Sequence, residues 1–399
     1  RVPFTHHSAL PWPLASVYRY MSIPDRQAQE GRLMRTTATT PLTFDRLGWS
    51  ADRARAFAPH AAVGLLPGRF VSSAGDGLAI TEAGPTVLII QRRFAREAGS
   101  RLDLPAVGDW LALEQVSEHP RQAAVREVLP RNGTFVRQRL SDGQPQVLAA
   151  NVDTAFLVSG LDHDLNLRRI ERYLVLAMDG GVTPVVVLNK VDIALDLARA
   201  VAEVHNVAAG TRVVVTSAVD GTGVDELQAF LEPGTTACLL GSSGVGKSTL
   251  ANAILGEERQ VTKQLREDDS KGRHTTTHRE LFATPDGGLL IDSPGLRTVG
   301  VLGESDSLRA TFDEVEGLAR QCRFSDCHHE GEPGCAVAAA MAAGTLSPQR
   351  LASHHKLEAE RHHAEIRSDQ RARREADRRL GKFFKQHKKN LRRQGSLDY

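Results

Sequence analysis

Eight consecutive residues constrain this chain more than any others. Gly241-Ser242-Ser243-Gly244-Val245-Gly246-Lys247-Ser248 matches G-x-x-x-x-G-K-[ST] in full. The apolar run ACLL precedes it, and a helix-forming run from Lys247 to Leu255 follows. A strand, a glycine-rich loop and a helix in that order make a cradle for phosphate. The glycines let the backbone curl so that its N–H groups face phosphate oxygens. The amino end of the helix then adds a favourable dipole. Lys247 supplies a cation to the outer phosphates, and the Ser248 hydroxyl suits a magnesium ion. Gly241 through Ser248, with Thr249 beside them, are therefore expected to contact a nucleotide.

The surroundings of this loop define its fold class. From Asn151 to about Gly300, apolar strands alternate with helical patterns. The runs DTAFLVSG, TPVVVLNK, RVVVTSA and TTACLLG read as strands. The segments Leu167 to Met178, Asp196 to Val204, Val224 to Leu231 and Lys247 to Leu255 read as helices. Continuous apolar strands separated by helices imply a parallel sheet covered on both faces. Ligands in such sheets bind at the carboxyl ends of the strands.

Three further motifs fall at those ends. Asn189-Lys190-Val191-Asp192 follows PVVVL. The Asp192 carboxylate can accept from the ring N–H and exocyclic amine of guanine. Adenine lacks that pair of donors, and a buried carboxylate left unpaired rejects the wrong base. Lys190 can lay its stem along the base, and Asn189 can tie its loop to the phosphate loop. Ser217-Ala218 follows RVVVT and offers a backbone N–H to the guanine carbonyl. Asp292-Ser293-Pro294-Gly295 follows LLI. There Asp292 would hold magnesium through water and the Gly295 N–H would sense the γ-phosphate. The polar loop RHTTT contributes Thr276 as a magnesium ligand in the GTP state. Leu296 follows the last motif where many GTPases place a water-orienting glutamine, so slow intrinsic turnover is expected.

The order of the motifs is unusual. In ordinary GTPases the phosphate loop comes first and NKxD comes late. Here NKVD and SA precede the phosphate loop, which RHTTT and DSPG follow. The same sheet results if the old chain ends are joined and new ends opened before DTAFLV and after DSPG. The flanks are distinct as well. Short runs from Gly68 to Arg139 (GRFVSS, LAITEA, PTVLIIQRRF, DWLALEQV, QAAVREVL and TFVRQR) are broken by turn signals and suit a small OB-fold barrel. Arg92, Arg93, Arg96, Arg101, Arg131, Arg137 and Arg139 would give it a basic face. Beyond about Ser305 the chain is helix-prone and holds three of its four cysteines.

Cys322, Cys327, His329 and Cys335 fall within fourteen positions, and three thiolates with one imidazole suit tetrahedral zinc. His328 is a competing ligand on spacing alone. Cys238 lies in an apolar strand and reads as a small buried residue. Net charge is only +2, but His354 to Tyr399 holds fourteen Lys/Arg against seven Asp/Glu. Within it, Gly381 to Arg393 has six basic residues and no acidic one. Such a tail suits nucleic acid more than general stickiness. No apolar run approaches the ~18 residues needed to span a bilayer.

This permuted motif order, between a barrel and a Cys/His block, resembles the RsgA family of small-ribosomal-subunit-dependent GTPases. The resemblance runs from about Leu47 to Arg393. GSSGVGKS, NKVD, RHTTT and DSPG are each common or moderately specific, but their permuted combination is very specific. Residues 1–45 read as a disordered extension, and the resemblance implies a multidomain chain beyond them: an OB-fold RNA-binding domain over 46–145, a circularly permuted α/β P-loop GTPase domain over 146–302, and an α-helical zinc-binding domain with its basic tail over 303–399. It implies GTP hydrolysis to GDP and phosphate, stimulated by the small subunit late in its maturation, with rRNA as a contact. It favours His329 over His328 as the zinc ligand. It also makes His274 the candidate for positioning water, beside Lys247 and Thr276, with magnesium bound alongside GTP. A cytoplasmic monomer without membrane contact is the matching expectation. Two rival readings are an RNA chaperone that uses GTP only as an affinity clamp, and a permuted GTPase acting on the large subunit.

Overall fold

The computed structural model describes residues 43–138, 144–162, 165–256, 279–292 and 305–366. The expected amino-terminal extension and the basic tail from Gly381 to Arg393 lie largely or wholly outside these residues.

The first structural unit begins with α1 (Ala51–Ala61), capped by Ser50, whose side chain accepts from Arg53 N. Five strands follow: β1 (Leu66–Ser72), β2 (Leu78–Thr81), β3 (Gly84–Ile89), β4 (Trp110–Glu118) and β5 (Arg121–Val128). They pair in the order β1-β2-β3-β5-β4, and β4 returns to β1 to close a barrel. Only β3 and β5 run parallel, and this is an OB-type barrel. Closure removes the exposed edges that a five-stranded open sheet would carry.

Three details of the sequence reading need correction. The run PTVLIIQRRF does not continue as a strand. It turns after Ile89 into α2 (Arg92–Glu97), where Arg93 and Glu97 pair one helical turn apart. The run TFVRQR is β6 (Thr134–Gln138), which leaves the barrel and pairs with β7 (Pro145–Ala150) in a separate ribbon. Arg131 also leaves the proposed basic face. Its Nε and Nη2 lie 2.7 Å from the two oxygens of buried Asp109, so it is tied into a partly buried ion pair. Burial raises the Asp109 carboxyl from its ordinary range, and the Arg131 hydrogen bond opposes that shift.

The second unit alternates as expected. It comprises β8 (Thr154–Gly160), α3 (Leu167–Asp179), β9 (Thr183–Asn189), α4 (Leu197–Val207), β10 (Arg212–Thr216), α5 (Val224–Gln228), β11 (Thr236–Gly241) and α6 (Lys247–Leu255). The hairpin β12 (Glu280–Ala283) and β13 (Leu289–Asp292) completes it. The strands lie in the order β10-β9-β8-β11-β13-β12, all parallel except β12. Every residue of β8 and β11 is buried, which is why both runs are continuously apolar. Cys238, within β11, is fully buried, and burial pushes its thiol well above the ordinary range.

Barrel and sheet are continuous. Ser72 of β1 pairs with Glu280 of β12, merging the two into one eleven-stranded sheet. Beside that junction the fully buried Arg69 donates to Leu47 O at 2.6 Å, Thr236 Oγ1 at 3.2 Å and Asn151 O at 3.3 Å. Its guanidinium lies over the Trp110 ring, and burial lowers its pKa to about 9.

The third unit is helical: α7 (Ser305–Thr311), α8 (Asp313–Ala319), α9 (Ala336–Ala342) and α10 over 348–366. It docks on α3. Val175 of α3 shares an apolar core with Leu308, Phe312 and Leu351. Buried Arg350 donates to Glu171 Oε1 at 2.7 Å and packs over the Phe312 ring at 4.2 Å. Among the described residues, no helix is long and apolar enough to cross a membrane.

Candidate functional site

Parallel pairing brings the expected motifs to one edge of the sheet. Asn189 ends β9, opposite Gly160 of β8 and Thr216 of β10. Gly241 ends β11 opposite Val158 of β8. Asp292 ends β13, the other neighbour of β11.

Asn189 is the junction of this edge. Its Nδ2 donates to Val245 O of the phosphate loop at 2.8 Å. Its Oδ1 accepts from Thr216 Oγ1 at 3.1 Å and Ala218 N at 3.2 Å. One buried amide thus ties three strand-end loops together, and its hydrogen-bonding capacity is well used. The phosphate loop must pass close above it. Gly246 has φ of 90°, and a Cβ there would lie 2.4 Å from Asn189 Nδ2. A side chain at Gly246 would therefore be strained and would also displace the tie.

Around this junction, Lys190 has left-handed backbone (φ 69°) and pairs with Asp162. Asp192 is exposed rather than buried, on the short helical turn Val191–Ile193. Its burial would have to come from a bound base. Ser217 N donates to Thr222 O at 3.0 Å, and Ala218 N is held by Asn189, so a base carbonyl would have to share or displace one of these contacts. In the phosphate loop Val245 is buried, whereas Ser243 and Gly244 are exposed. Lys247 Nζ turns back to Gly241 O at 2.8 Å and also to Ser242 O. Ser248 and Thr249 sit half-buried in the first turn of α6. His274, Thr276 and Gly295 lie outside the described residues.

One contact carries no sequence motif: Arg169 of α3 donates to Ser242 Oγ at 2.6 Å. A cleft of about 310 Å³ opens nearby, lined by Asp162, Ile193, Asp196 and Arg199 among others. It includes no phosphate-loop residue, so it is not the cradle itself.

In the helical unit the fold gathers Cys322, Cys327, His329 and Cys335, with ligand atoms all within 4.8 Å of one another. Cys322 Sγ lies 3.9 Å from Cys335 Sγ, and His329 Nδ1 lies 3.6 and 3.5 Å from them. Tetrahedral ligands at metal–sulfur distances of about 2.3 Å stand roughly 3.8 Å apart, so the set fits one metal ion. His328 is not part of this set. Its N–H and that of Glu330 donate to Glu332, each at 2.8 Å. The Glu332 backbone N–H and that of His328 hold its carboxyl down to about 2, so it stays ionised and braces the loop.

A complete phosphate loop, tied to an NKVD loop on a parallel sheet whose strands follow in shifted order, defines a circularly permuted P-loop GTPase. The comparisons with known proteins agree. Residues 128–302 match the model of the RsgA GTPase family. The small ribosomal subunit biogenesis GTPase RsgA of Opitutus terrae is 47% identical over 338 residues, which is 82% of this chain and 92% of that protein. Its namesake in Streptomyces coelicolor is 46% identical over 82% of this chain and 89% of that protein. The crystal structure of YjeQ from Thermotoga maritima aligns with a TM-score of 0.54 at 27% identity, covering 74% of this chain and 98% of that one. The structure of YloQ, described as a circularly permuted GTPase, aligns with a TM-score of 0.50 at 21% identity over 74% of this chain and 95% of that one, a likeness of fold alone. The chain belongs to the RsgA GTPase family.

Proposed function

We propose that this GTPase acts on the small ribosomal subunit late in its maturation, hydrolysing GTP to GDP and phosphate with turnover accelerated by the subunit. The observation that carries the reading is the Asn189 bridge, which sets an NKVD loop beside a phosphate loop in permuted connectivity. The names of the relatives supply the subunit as partner.

In this reading Asp192 recognises guanine and Lys190 lies along the base. Lys247 leaves its loop carbonyls to meet the outer phosphates, and the loop N–H groups stabilise charge developing there. Magnesium would be held by Ser248 and Thr276 and, through water, by Asp292. When bound it neutralises phosphate charge. Gly295 senses the γ-phosphate, and His274 positions the attacking water. The metal of the Cys₃His set is zinc, a structural ion with no open ligand position. Domains at 46–145, 146–302 and 303–399, rRNA contact by the barrel and tail, a monomeric state and a cytoplasmic location complete the proposal.

The test is phosphate release from GTP, titrated separately with purified small and large subunits. Acceleration by small subunits alone is the expected result. Acceleration by large subunits alone would move the target. GTP-dependent binding without acceleration by either would favour an RNA-binding module that uses GTP as a clamp.

A further inference from the structure

We infer that Arg169 is a positioning residue for the nucleotide phosphates, acting through Ser242; the inference rests on the GTPase reading above. Arg169 lies in the first turn of α3, where its N–H donates to the cap residue Asn166 at 3.1 Å. Its guanidinium crosses to the phosphate loop, 73 positions away in sequence, and donates to Ser242 Oγ at 2.6 Å. A charged donor holds such a hydroxyl more firmly than a neutral one. Lys247 Nζ donates to the carbonyl of the same Ser242. Two cations therefore share one residue of the loop, a placement that favours an anion beside it.

The position of Arg169 is fixed from behind. One turn or less along α3, Glu171 accepts from Arg350 Nη1 at 2.7 Å and from Ser353 Oγ, all three residues being buried. Arg172 Nη2 reaches Glu360 Oε1 at 2.7 Å. Two carboxylate–guanidinium pairs with the helical unit prevent α3 from sliding, so Arg169 meets Ser242 from a set direction. Phosphate-loop N–H groups wrap the phosphates that GDP and GTP share. Loosening the loop at Ser242 therefore weakens ground state and transition state nearly alike, while Lys247 and the remaining N–H groups keep their part in stabilising the developing charge, so KM rises and kcat changes little.

The test uses the full chain as wild type, Arg169→Ala, Arg169→Lys, Ser242→Ala and the Arg169→Ala/Ser242→Ala double variant. Phosphate release gives kcat and KM for GTP, and a fluorescent GDP analogue gives Kd. Arg169→Ala should raise both KM and the GDP Kd about tenfold, with kcat within about threefold of wild type. Arg169→Lys, which keeps charge and donor, should stay within about threefold of wild type on all three. The double variant should be no worse than the worse single one, because both remove the same tie. Unchanged KM and Kd in Arg169→Ala, fully additive losses, or a kcat loss at constant KM would each overturn the inference. If Arg169→Ala does not fold, Arg169→Met carries the same expectations. A wild-type chain that binds neither nucleotide sinks the GTPase reading itself, whereas wild-type binding with an indifferent Arg169→Ala sinks only this inference.

Discussion

Asn189 reaches Val245 across 56 positions of sequence, whereas the four clustered Cys and His side chains that could hold a metal ion lie within fourteen. The first site sits on strand ends whose strands are buried on both faces, so the apolar sheet holds its geometry before any ligand arrives. The second sits in a short loop between α8 and α9, where His329 takes left-handed backbone and Glu332 supplies two of the bracing contacts. A site held by a core should lose chemistry, and not structure, when its polar residues change. A site held by its ion should lose structure when the ion leaves.

The largest expected effect tests the first half of that contrast. Lys247→Ala should lower kcat/KM for GTP by about a hundredfold or more, with an unchanged far-ultraviolet dichroism spectrum. A folded variant with near-normal turnover would contradict the role given to Lys247. Asp192→Asn should weaken GTP binding by roughly a hundredfold while ATP binding stays poor, since the two guanine donors lose their shared acceptor. Competition binding with both nucleotides measures it.

Chelation, or Cys335→Ser, probes the other half. It should release the bound ion, seen by elemental analysis, and melt the segment around 322–342. Guanine-nucleotide affinity should move by less than about threefold, because the Arg350–Glu171 and Arg172–Glu360 pairs that hold α3 lie outside that segment, even though Cys335, Val337 and Ala340 share the apolar core of Val175, Leu308 and Phe312. Equal loss of nucleotide affinity would erase the distinction between the two sites. Breaking the clamp directly is a smaller perturbation. Arg350→Met leaves Glu171 buried without its cation and should cost about 3 kcal/mol in denaturant unfolding of the helical unit.

The smallest effect concerns His354. Burial lowers its pKa below 6.5, its ring packs on Phe312, and its Nε2 lies 3.3 Å from Glu316. The native state thus binds a proton less readily than the unfolded chain. Stability should fall as pH drops through about 6.5 toward the depressed native value. A flatter melting profile over that window in His354→Phe would confirm the source, and an unchanged slope would exclude it.

Much of this was legible in the residues. Continuous apolar runs gave β8, β9, β10 and β11 because those strands are covered on both faces, and the helix starting at Lys247 was set by the loop before it. The expected OB-fold barrel, permuted GTPase sheet and Cys/His unit are all present. What was missed depends on distant partners. The four-residue strand β12 is too short to show a period, and β7 takes its identity from pairing with β6. Arg131 reads as a solvated arginine until Asp109 is placed beneath it. Glu171 and Arg350 are 179 positions apart, and nothing local in either run announces a buried pair. Arg169 has the same history: its meaning lies in Ser242, in the loop that follows β11.

The strand order has a consequence for synthesis. The barrel uses the unbroken stretch from Leu66 to Val128, so it can close while the rest of the chain is still being made. The nucleotide-binding sheet comes in two instalments, β10-β9-β8 first and β11-β13-β12 second, and they meet at the β8–β11 border. Asn189 spans that border to Val245, so the early half emerges with its NKVD loop but without the phosphate loop that this loop is tied to. A nascent chain should therefore not capture GTP until the phosphate loop after β11 has emerged and met Asn189, so its first binding event reports that the two halves of the sheet have joined.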